Sequence, residues 1–363
     1  MKILIITQNF PPVDGGIATH TYEMAKNFSA QDQNVFVIAP VKKNTSEFDE
    51  KQKFKIKRFP KVSGPFSRFF ITLIYSFLAA VKFKPDIIYT THWKNAGLVA
   101  TIISSIFKIP HISAVNGTEI NFPKSRKLEY RLFHFVAGRA PKIIALGSYQ
   151  INLLKKLDIS ENKIFMVPEG VDFSRFEKRD ENLVRSLKEK YDIGTKKVLL
   201  TVGRLVSRKG HRDVILALKE IIKICPNVVY VIVGKGPEKE NLSKLIEGLK
   251  LDKYVMFTGF VSEEEMIAFY HLCDVFVLPN TVVDGDLEGF GIVFAEAGAC
   301  GKPVIGGKSG GAGDIVKDGV NGYLVEPENI AEIKDRILKI LQNEKLARQM
   351  GLKGREMASN EFN

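Results

Sequence analysis

Residues 197–223 read KVLLTVGRLVSRKGHRDVILALKEIIK. An aliphatic run closes on Gly203, a loop carrying Arg204 and Lys209 follows, and a helix-period segment occupies 213–223. A continuous apolar run suits a strand buried on both faces, the habit of parallel sheets covered by helices. One strand–loop–helix unit therefore predicts neighbours of its kind. They are found in both directions. VVYVIVG (228–234), YVMFTG (254–259), DVFVLP (274–279) and PVIGG (303–307) come after it. KILIIT (2–7), VFVIAP (35–40), DIIYTT (86–91), HISAV (111–115) and KIIALG (142–147) come before it. Helix-period segments separate them, among them 20–28 and 262–271, the latter opening Ser-Glu-Glu-Glu as an N-cap with an acidic first turn. The alternation predicts a doubly wound α/β fold, and it happens twice.

A chain of 363 residues strains a single core, so two domains fit its length as well as its pattern. The charged stretch 171–190, VDFSRFEKRDENLVRSLKEK, lacks a strand pattern and reads as the linker. The expected division is 1–170, then the linker 171–190, then 191–345, with 346–363 as a C-terminal helical segment. In open α/β sheets ligands bind beyond the carboxyl ends of the strands, so the chemistry is sought in the loops that follow them.

The composition, 45% hydrophobic and 26% charged, excludes collagen-like and disordered classes. The net charge of +12 is unevenly placed. Residues 1–170 hold 24 of the 53 Lys/Arg and 12 of the 41 Asp/Glu, leaving 29 of each beyond, so the excess belongs to the first domain. Three scattered cysteines, Cys225, Cys273 and Cys300, suit a reducing cytoplasm rather than a disulfide framework. The longest apolar stretch, 69–81, has polar interruptions at Thr72, Tyr75 and Ser76 and falls short of the ~20 residues that span a bilayer.

Several strings mimic known sites. GKGPEK (234–239) begins Gly-x-Gly, but Lys239 stands where the dinucleotide fingerprint needs its third glycine, so a tight turn is expected. Gly307-Lys308-Ser309 lacks the upstream glycine of a phosphate-binding loop, since Lys302 occupies its register. Asp284-Gly285-Asp286 resembles an Asp-x-Asp metal site, yet no third carboxylate accompanies it and a turn is expected. The six histidines show no metal-ligand spacing, and there is no Gly-x-Ser-x-Gly elbow.

The segment 287–311, LEGFGIVFAEAGACGKPVIGGKSGG, carries more information. Gly289-Phe290-Gly291 leads into an alanine-rich helix ending near Ala299, whose first amides and dipole favour an anion such as a diphosphate. Glu288 stands before this helix and Glu296 lies two turns inside it, placed to accept hydrogen bonds from separate hydroxyl-bearing rings. Arg204 and Lys209, just after a strand, are suited to hold a diphosphate and take up charge as it leaves.

Arg204-Leu205 with Lys209-Gly210, Glu288-Gly-Phe-Gly with Glu296, Gly301-Lys-Pro-Val-Ile and Gly310-Gly311 together resemble the retaining glycosyltransferases of family 4. The group 1 enzymes of lipopolysaccharide and phosphatidylinositol-mannoside synthesis are of this type. The resemblance runs nearly end to end, from the Pro11-Pro12 to Gly15-Gly16 loop through Pro168-Glu-Gly-Val-Asp172 to 318–325. It implies the GT-B fold, two Rossmann-like doubly wound domains facing across a cleft, with the acceptor on the first and a nucleotide diphosphate sugar on the second. Arg204, Lys209 and Glu288 would be catalytic. Gly16, with Gly15 beside it, would bring a backbone amide to the phosphates, and Glu296 would hold the ribose. Glu288 and the amides of Phe290, Gly291 and Ile292 would contact the transferred sugar and distal phosphate, Gly203 and Gly289 would be substrate-binding as well, and Phe260 and Val261 would lie near the base. Such enzymes need no metal and no cofactor.

This chain departs from the pattern in three places. Asn116-Gly117-Thr118-Glu119 replaces the usual His-Gly-x-Glu or His-Gly-x-Asp, which leaves the role of Asn116 open beside Glu119. The Gly-Gly-x-Pro-Glu string appears as Gly310-Gly311-Ala312-Gly313-Asp314. The family's last helix returns to the first domain, and the sequence stops about where that helix would begin.

Residues 51–68 contain seven Lys/Arg and no acid, interleaved with Phe54, Ile56, Phe59 and Phe66. A second basic cluster spans Lys124, Arg126, Lys127, Arg131, Arg139 and Lys142. Basic and aromatic segments settle at anionic membrane interfaces. The expectation is a cytoplasmic enzyme, peripheral on the inner face of the cytoplasmic membrane, acting on a glycan or lipid-linked acceptor. The other readings are a nucleotide-sugar 2-epimerase of the same fold and a basic nucleic-acid-binding protein. The first lacks its paired acid/base residues, and the second lacks a recognition helix or stacking motif.

Overall fold

The computed structural model describes residues 1–12 and 15–363, so Val13 and Asp14 of the early proline–glycine loop lie outside the described residues. The chain forms two units, Met1–Val167 and Pro168–Asn363. Among the described residues the first unit carries a seven-stranded sheet, all parallel, of β1 (Lys2–Ile6), β2 (Asn34–Pro40), β3 (Lys55–Phe59), β4 (Ile87–Thr90), β5 (His111–Val115), β6 (Lys142–Ala145) and β7 (Ile164–Met166). Their order is β3-β2-β1-β4-β5-β6-β7. The second unit carries β8 (Lys197–Val202), β9 (Val228–Val233), β10 (Val255–Gly259), β11 (Val275–Leu278), β12 (Val304–Gly307) and β13 (Gly322–Val325), in the order β10-β9-β8-β11-β12-β13. Both orders reverse direction beside their first strand, and such a reversal opens a crevice at the carboxyl edge.

All ten expected strands are present, and β3, β7 and β13 join them. The three additions sit at sheet edges. An edge strand has one covered flank, so β3 alternates charged and apolar residues and β7 is largely exposed. Neither leaves the continuous apolar run that a central strand needs. The cores are aliphatic layers on each sheet, such as Leu199, Val214, Leu218, Tyr230 and Ile337 in the second unit.

Two expectations fail here. The stretch 171–190 is not a linker but the helices Phe173–Phe176 and Glu181–Lys190 of the second unit. Asp180 caps the latter by accepting from the Asn182 and Leu183 amides, both at 3.0 Å. Val184 and Leu187 are buried, on the side that meets the helix Glu263–Leu272. Two apolar residues three apart are enough to seat a short helix, and the charges around them hid it. The aromatic residues within 51–68 also differ from expectation, since Phe54 and Phe59 are buried in the core of the first unit.

The helix Pro65–Phe83 is, by length and composition, long and apolar enough to cross a membrane, unlike the shorter stretch read from sequence. Thr72 and Ser76 do not interrupt it. They lie on its buried side with Ala79 and Ala80, and the Thr72 hydroxyl donates to the Arg68 carbonyl at 2.7 Å. The last helix, Glu344–Glu361, packs on Ile292–Ala299 so closely that a Cβ at Gly298 would stand 2.9 Å from the Gly354 carbonyl oxygen.

Candidate active site

The strands β8 and β11 are neighbours, with Val275 opposite Leu199 and Phe276 opposite Leu200. They flank the point where the strand order of the second sheet reverses. The loop after β8 carries Arg204 and Lys209, and the loop after β11 carries Glu288. Lys209 is buried, and its Nζ donates to Glu288 Oε2 at 2.5 Å. Arg208 donates through Nη1 to the same oxygen at 2.8 Å and through Nε to Asp286 at 3.0 Å. Burial pushes the Glu288 carboxyl up, but Lys209 and Arg208 outweigh it and hold it below its ordinary value. The site thus keeps an ionised carboxylate between two cations.

Backbone geometry sets this pair. The turn Ser207–Lys209 ends at Gly210 with φ 70°, where a Cβ would meet the Pro279 carbonyl oxygen at 2.3 Å. A glycine is therefore required for the β8 and β11 loops to approach each other. The Thr281 amide donates to the Arg208 carbonyl at 2.8 Å and ties the loops further. Gly234, the first glycine of GKGPEK, abuts the Gly203 carbonyl, so that string serves close backbone packing beside the site.

Asp284 and Gly285 both have positive φ, and Val283 bridges Asp286, which makes 283–286 a tight hairpin turn. The Asp-x-Asp pair is therefore a turn, with Asp286 turned to Arg208.

Glu296 sits within the helix Ile292–Ala299 and accepts from the Tyr270 hydroxyl at 2.6 Å. Its carboxyl is held up to about 7, chiefly by burial. The helix starts at Ile292 with Gly291 as its left-handed cap, so Glu288 belongs to the preceding loop and the two acids do not share a helix face. Phe290 turns its ring into the protein against Phe362, 5.9 Å between centroids. The Gly311 amide donates to the Glu288 carbonyl at 3.0 Å, so Gly310-Gly311 braces the 288–291 loop.

Arg204 is exposed on the β8 loop and, among the described residues, has no carboxylate partner; its carbonyl accepts from His211 Nε2 at 3.3 Å. Phe260 is exposed after β10 with Val261 partly covered beside it, and Lys235 Nζ lies 5.9 Å from the Phe260 ring centroid.

The remaining predicted residues lie in the first unit, at the carboxyl edge of its sheet. Gly15 caps the helix Gly16–Ala30 with φ 142°, and a Cβ at either glycine would meet nothing within 4 Å. Asn116 follows β5, and its side-chain amide donates to the Thr91 carbonyl at 2.6 Å. Its backbone amide donates to Glu119 Oε1 at 2.7 Å, and Glu119 is buried. Both side chains hold the loop together.

Sequence reasoning missed three residues. Arg208 was legible, as the neighbour of Lys209. Glu169, half-buried, lies near enough to Glu288 and Glu296 that burial and their charges hold its carboxyl up to about 7. It sits in a recognised string, but nothing in its spacing tied it to residues 119 and 127 positions away. Tyr270 reads as an ordinary core aromatic, and only helix packing brings it to Glu296.

This arrangement, cations and buried acids on a sheet reversal in one of two Rossmann-like units, defines a GT-B transferase. Residues 14–175 match the family model described as glycosyltransferase family 4, and residues 184–357 match that for glycosyl transferases group 1. The chain belongs to the group 1 glycosyltransferases. It is 28% identical, over 98% of its length and 93% of the relative's, to a GDP-mannose-dependent alpha-(1-6)-phosphatidylinositol monomannoside mannosyltransferase of Mycolicibacterium smegmatis. A GDP-mannose-dependent monoacylated alpha-(1-6)-phosphatidylinositol monomannoside mannosyltransferase of Corynebacterium glutamicum is 26% identical over 99% of this chain and 94% of the relative. The crystal structure of Anabaena HepE in complex with UDP-glucose superposes with a TM-score of 0.84 at 23% identity, covering 100% of this chain and 96% of that one.

Proposed function

We propose that this enzyme moves a sugar from a nucleotide diphosphate sugar to a lipid-linked acceptor, with retention at the anomeric carbon and without a metal ion. The observation that carries the reading is the Lys209–Glu288–Arg208 cluster at the β8–β11 reversal. An arriving diphosphate offers Lys209 and Arg204 a stronger anion than a carboxylate, and both then stabilise the charge that develops on the departing phosphate. Glu288, freed in part from Lys209, accepts from the sugar's hydroxyls. Glu296 accepts from the ribose. Front-face departure through an oxocarbenium-like state lets a donor phosphate oxygen take the acceptor's proton.

The mycobacterial and corynebacterial relatives are named for GDP-mannose and a phosphatidylinositol acceptor, which makes GDP-mannose the first donor to try. The basic first unit supports an acceptor presented at an anionic membrane on its cytoplasmic face. UDP-, GDP- and ADP-sugars, each scored for nucleotide release with and without membrane lipid extract, test the proposal. Release that requires lipid, from one donor, is expected. Release independent of any acceptor, or none with any donor, would overturn it.

A further inference from the structure

The helix Pro65–Phe83 turns one face to solvent, and that face is apolar. Phe66 is 79% exposed, Phe70 57% and Ile74 53%, and Phe77, Leu78 and Val81 are exposed with them. At about 100° per residue these six fall within an arc of about 120°, in which Ser67 is the one polar residue. The opposite side holds Thr72, Ser76, Ala79 and Ala80, buried against the core of the unit. Exposed Ile106 of the packed helix Leu98–Phe107 lies on the adjoining element, and the Phe77 and Phe107 rings touch at 5.2 Å between centroids. A contiguous apolar surface of this kind on a folded unit marks a docking site.

Charge identifies the occupant. Arg68 and Lys82 on the helix, Lys84 as its C-cap, Lys61 shortly before it and Lys108 as the C-cap of Leu98–Phe107 are exposed. No acid occurs between residues 51 and 85. A second copy seated on this face would set cationic rims against each other, because a two-fold interface presents the same patch from both sides. Anionic headgroups neutralise the same rim while acyl chains accept the aromatic side chains. A helix of 19 residues is about 28 Å long, enough to cross a bilayer. Its inner face is engaged, however, with Thr72 accepting from Gln8 Nε2 at 3.0 Å and the alanines packed in the core, so crossing would strip it from its own unit.

We infer that the helix Pro65–Phe83 lies in the plane of an anionic bilayer, its exposed aromatic and aliphatic face in the acyl boundary and its cations at headgroup level. The inference rests on the lipid-linked acceptor of the proposed function, and names the element that reaches the lipid. Of the aromatic residues within 51–68 it keeps the exposed Phe66 and leaves out the buried Phe54 and Phe59.

The test uses the full chain with phosphatidylcholine vesicles, with and without phosphatidylserine. Wild type should sediment with the anionic vesicles only. The Phe70→Ser, Ile74→Ser double variant should lose at least about tenfold in partitioning, as removal of two inserted side chains implies, with its thermal midpoint kept. In a second variant, Phe70→Trp, emission should be quenched by acyl-brominated anionic lipid, against a constant background from the buried Trp93. Unchanged partitioning of the double variant, an unquenched Trp variant, or a vesicle-indifferent dimer that the double variant dissociates would each overturn the inference. Nucleotide release with a detergent-dispersed acceptor is read in parallel. Its persistence in the double variant leaves the proposed function standing whatever the vesicles show, whereas its absence in wild type removes that function without touching vesicle binding.

Discussion

The two sheets of this enzyme reverse order in the same way, yet their carboxyl edges are built from different materials. At the β8–β11 edge, Lys209, Arg208, Glu288 and Asp286 form an ionic cluster, with Glu296 and Glu169 behind it held up to about 7. At the edge of the first sheet, hydrogen bonds of 2.6 to 3.3 Å link Thr7 to Thr91, Thr91 to Asn116 and Asn116 to Glu119. The same topology thus yields one edge lined by paired charges, which under the proposed function exchange partners with a charged ligand, and one edge whose described polar groups hold its own loops together. Loops, and not the fold, assign the chemistry.

That contrast can be broken by substitution. Lys209→Ala and Arg204→Ala should each lower turnover by at least about 10²-fold, as loss of one charge-stabilising donor does elsewhere. Wild-type-like turnover in both would end the assignment of the second edge. Asn116→Ala should act mainly on stability, by about 1 kcal/mol, because it leaves the Thr91 carbonyl without its donor. Denaturant titration beside steady-state kinetics separates the two effects. An Asn116 variant as inactive as the Lys209 variant would move the first edge into the chemistry.

Arg208→Gln should have a smaller effect, about tenfold or less, confined to KM. Arg208 holds Glu288 and the 283–286 turn and acts on the donor through them, so Arg208→Lys should recover much of the loss.

The acids sharpen the comparison through pH. In the proposed role Glu296 accepts ribose hydroxyls more strongly when ionised, so donor affinity should rise with pH through about 7. Glu296→Gln should weaken binding and remove that limb, with Glu169→Gln needed to flatten what remains. Stability should run the other way. The folded carboxyl binds its proton more tightly than the unfolded one, whose ordinary value is 4.5, so the protonated acid favours the fold. That contribution is complete below about 4.5 and lost as pH rises through about 7. Glu296→Gln should therefore be more stable than wild type above that range and equal to it below.

Much of this was written in the sequence, and the physical reason is consistent. Central strands must be apolar on both faces, so all nine showed as continuous runs, and the edge strand β10 showed with them. The edge strands β3, β7 and β13 and the helix Glu181–Lys190 need only a few buried side chains, and so did not show. At the site, Lys209 and Glu288 were visible because glycines and strand ends mark the loops that carry them. Tyr270 and Glu169 were not, since their roles come from packing between segments far apart in the chain. The helix Pro65–Phe83 shows the opposite failure: polar residues that seemed to interrupt an apolar run occupy its buried side, and the run is continuous where it meets solvent.

The central claim is that the second unit alone supplies the cations that hold the diphosphate. Calorimetric titration of GDP and UDP into wild type, Lys209→Ala and Asn116→Ala tests it most directly. Whichever nucleotide wild type prefers should lose at least about tenfold in affinity with Lys209→Ala, the loss of one charge-assisted bond, and bind Asn116→Ala as it binds wild type. Equal losses in both variants, or undiminished binding to Lys209→Ala, would contradict it.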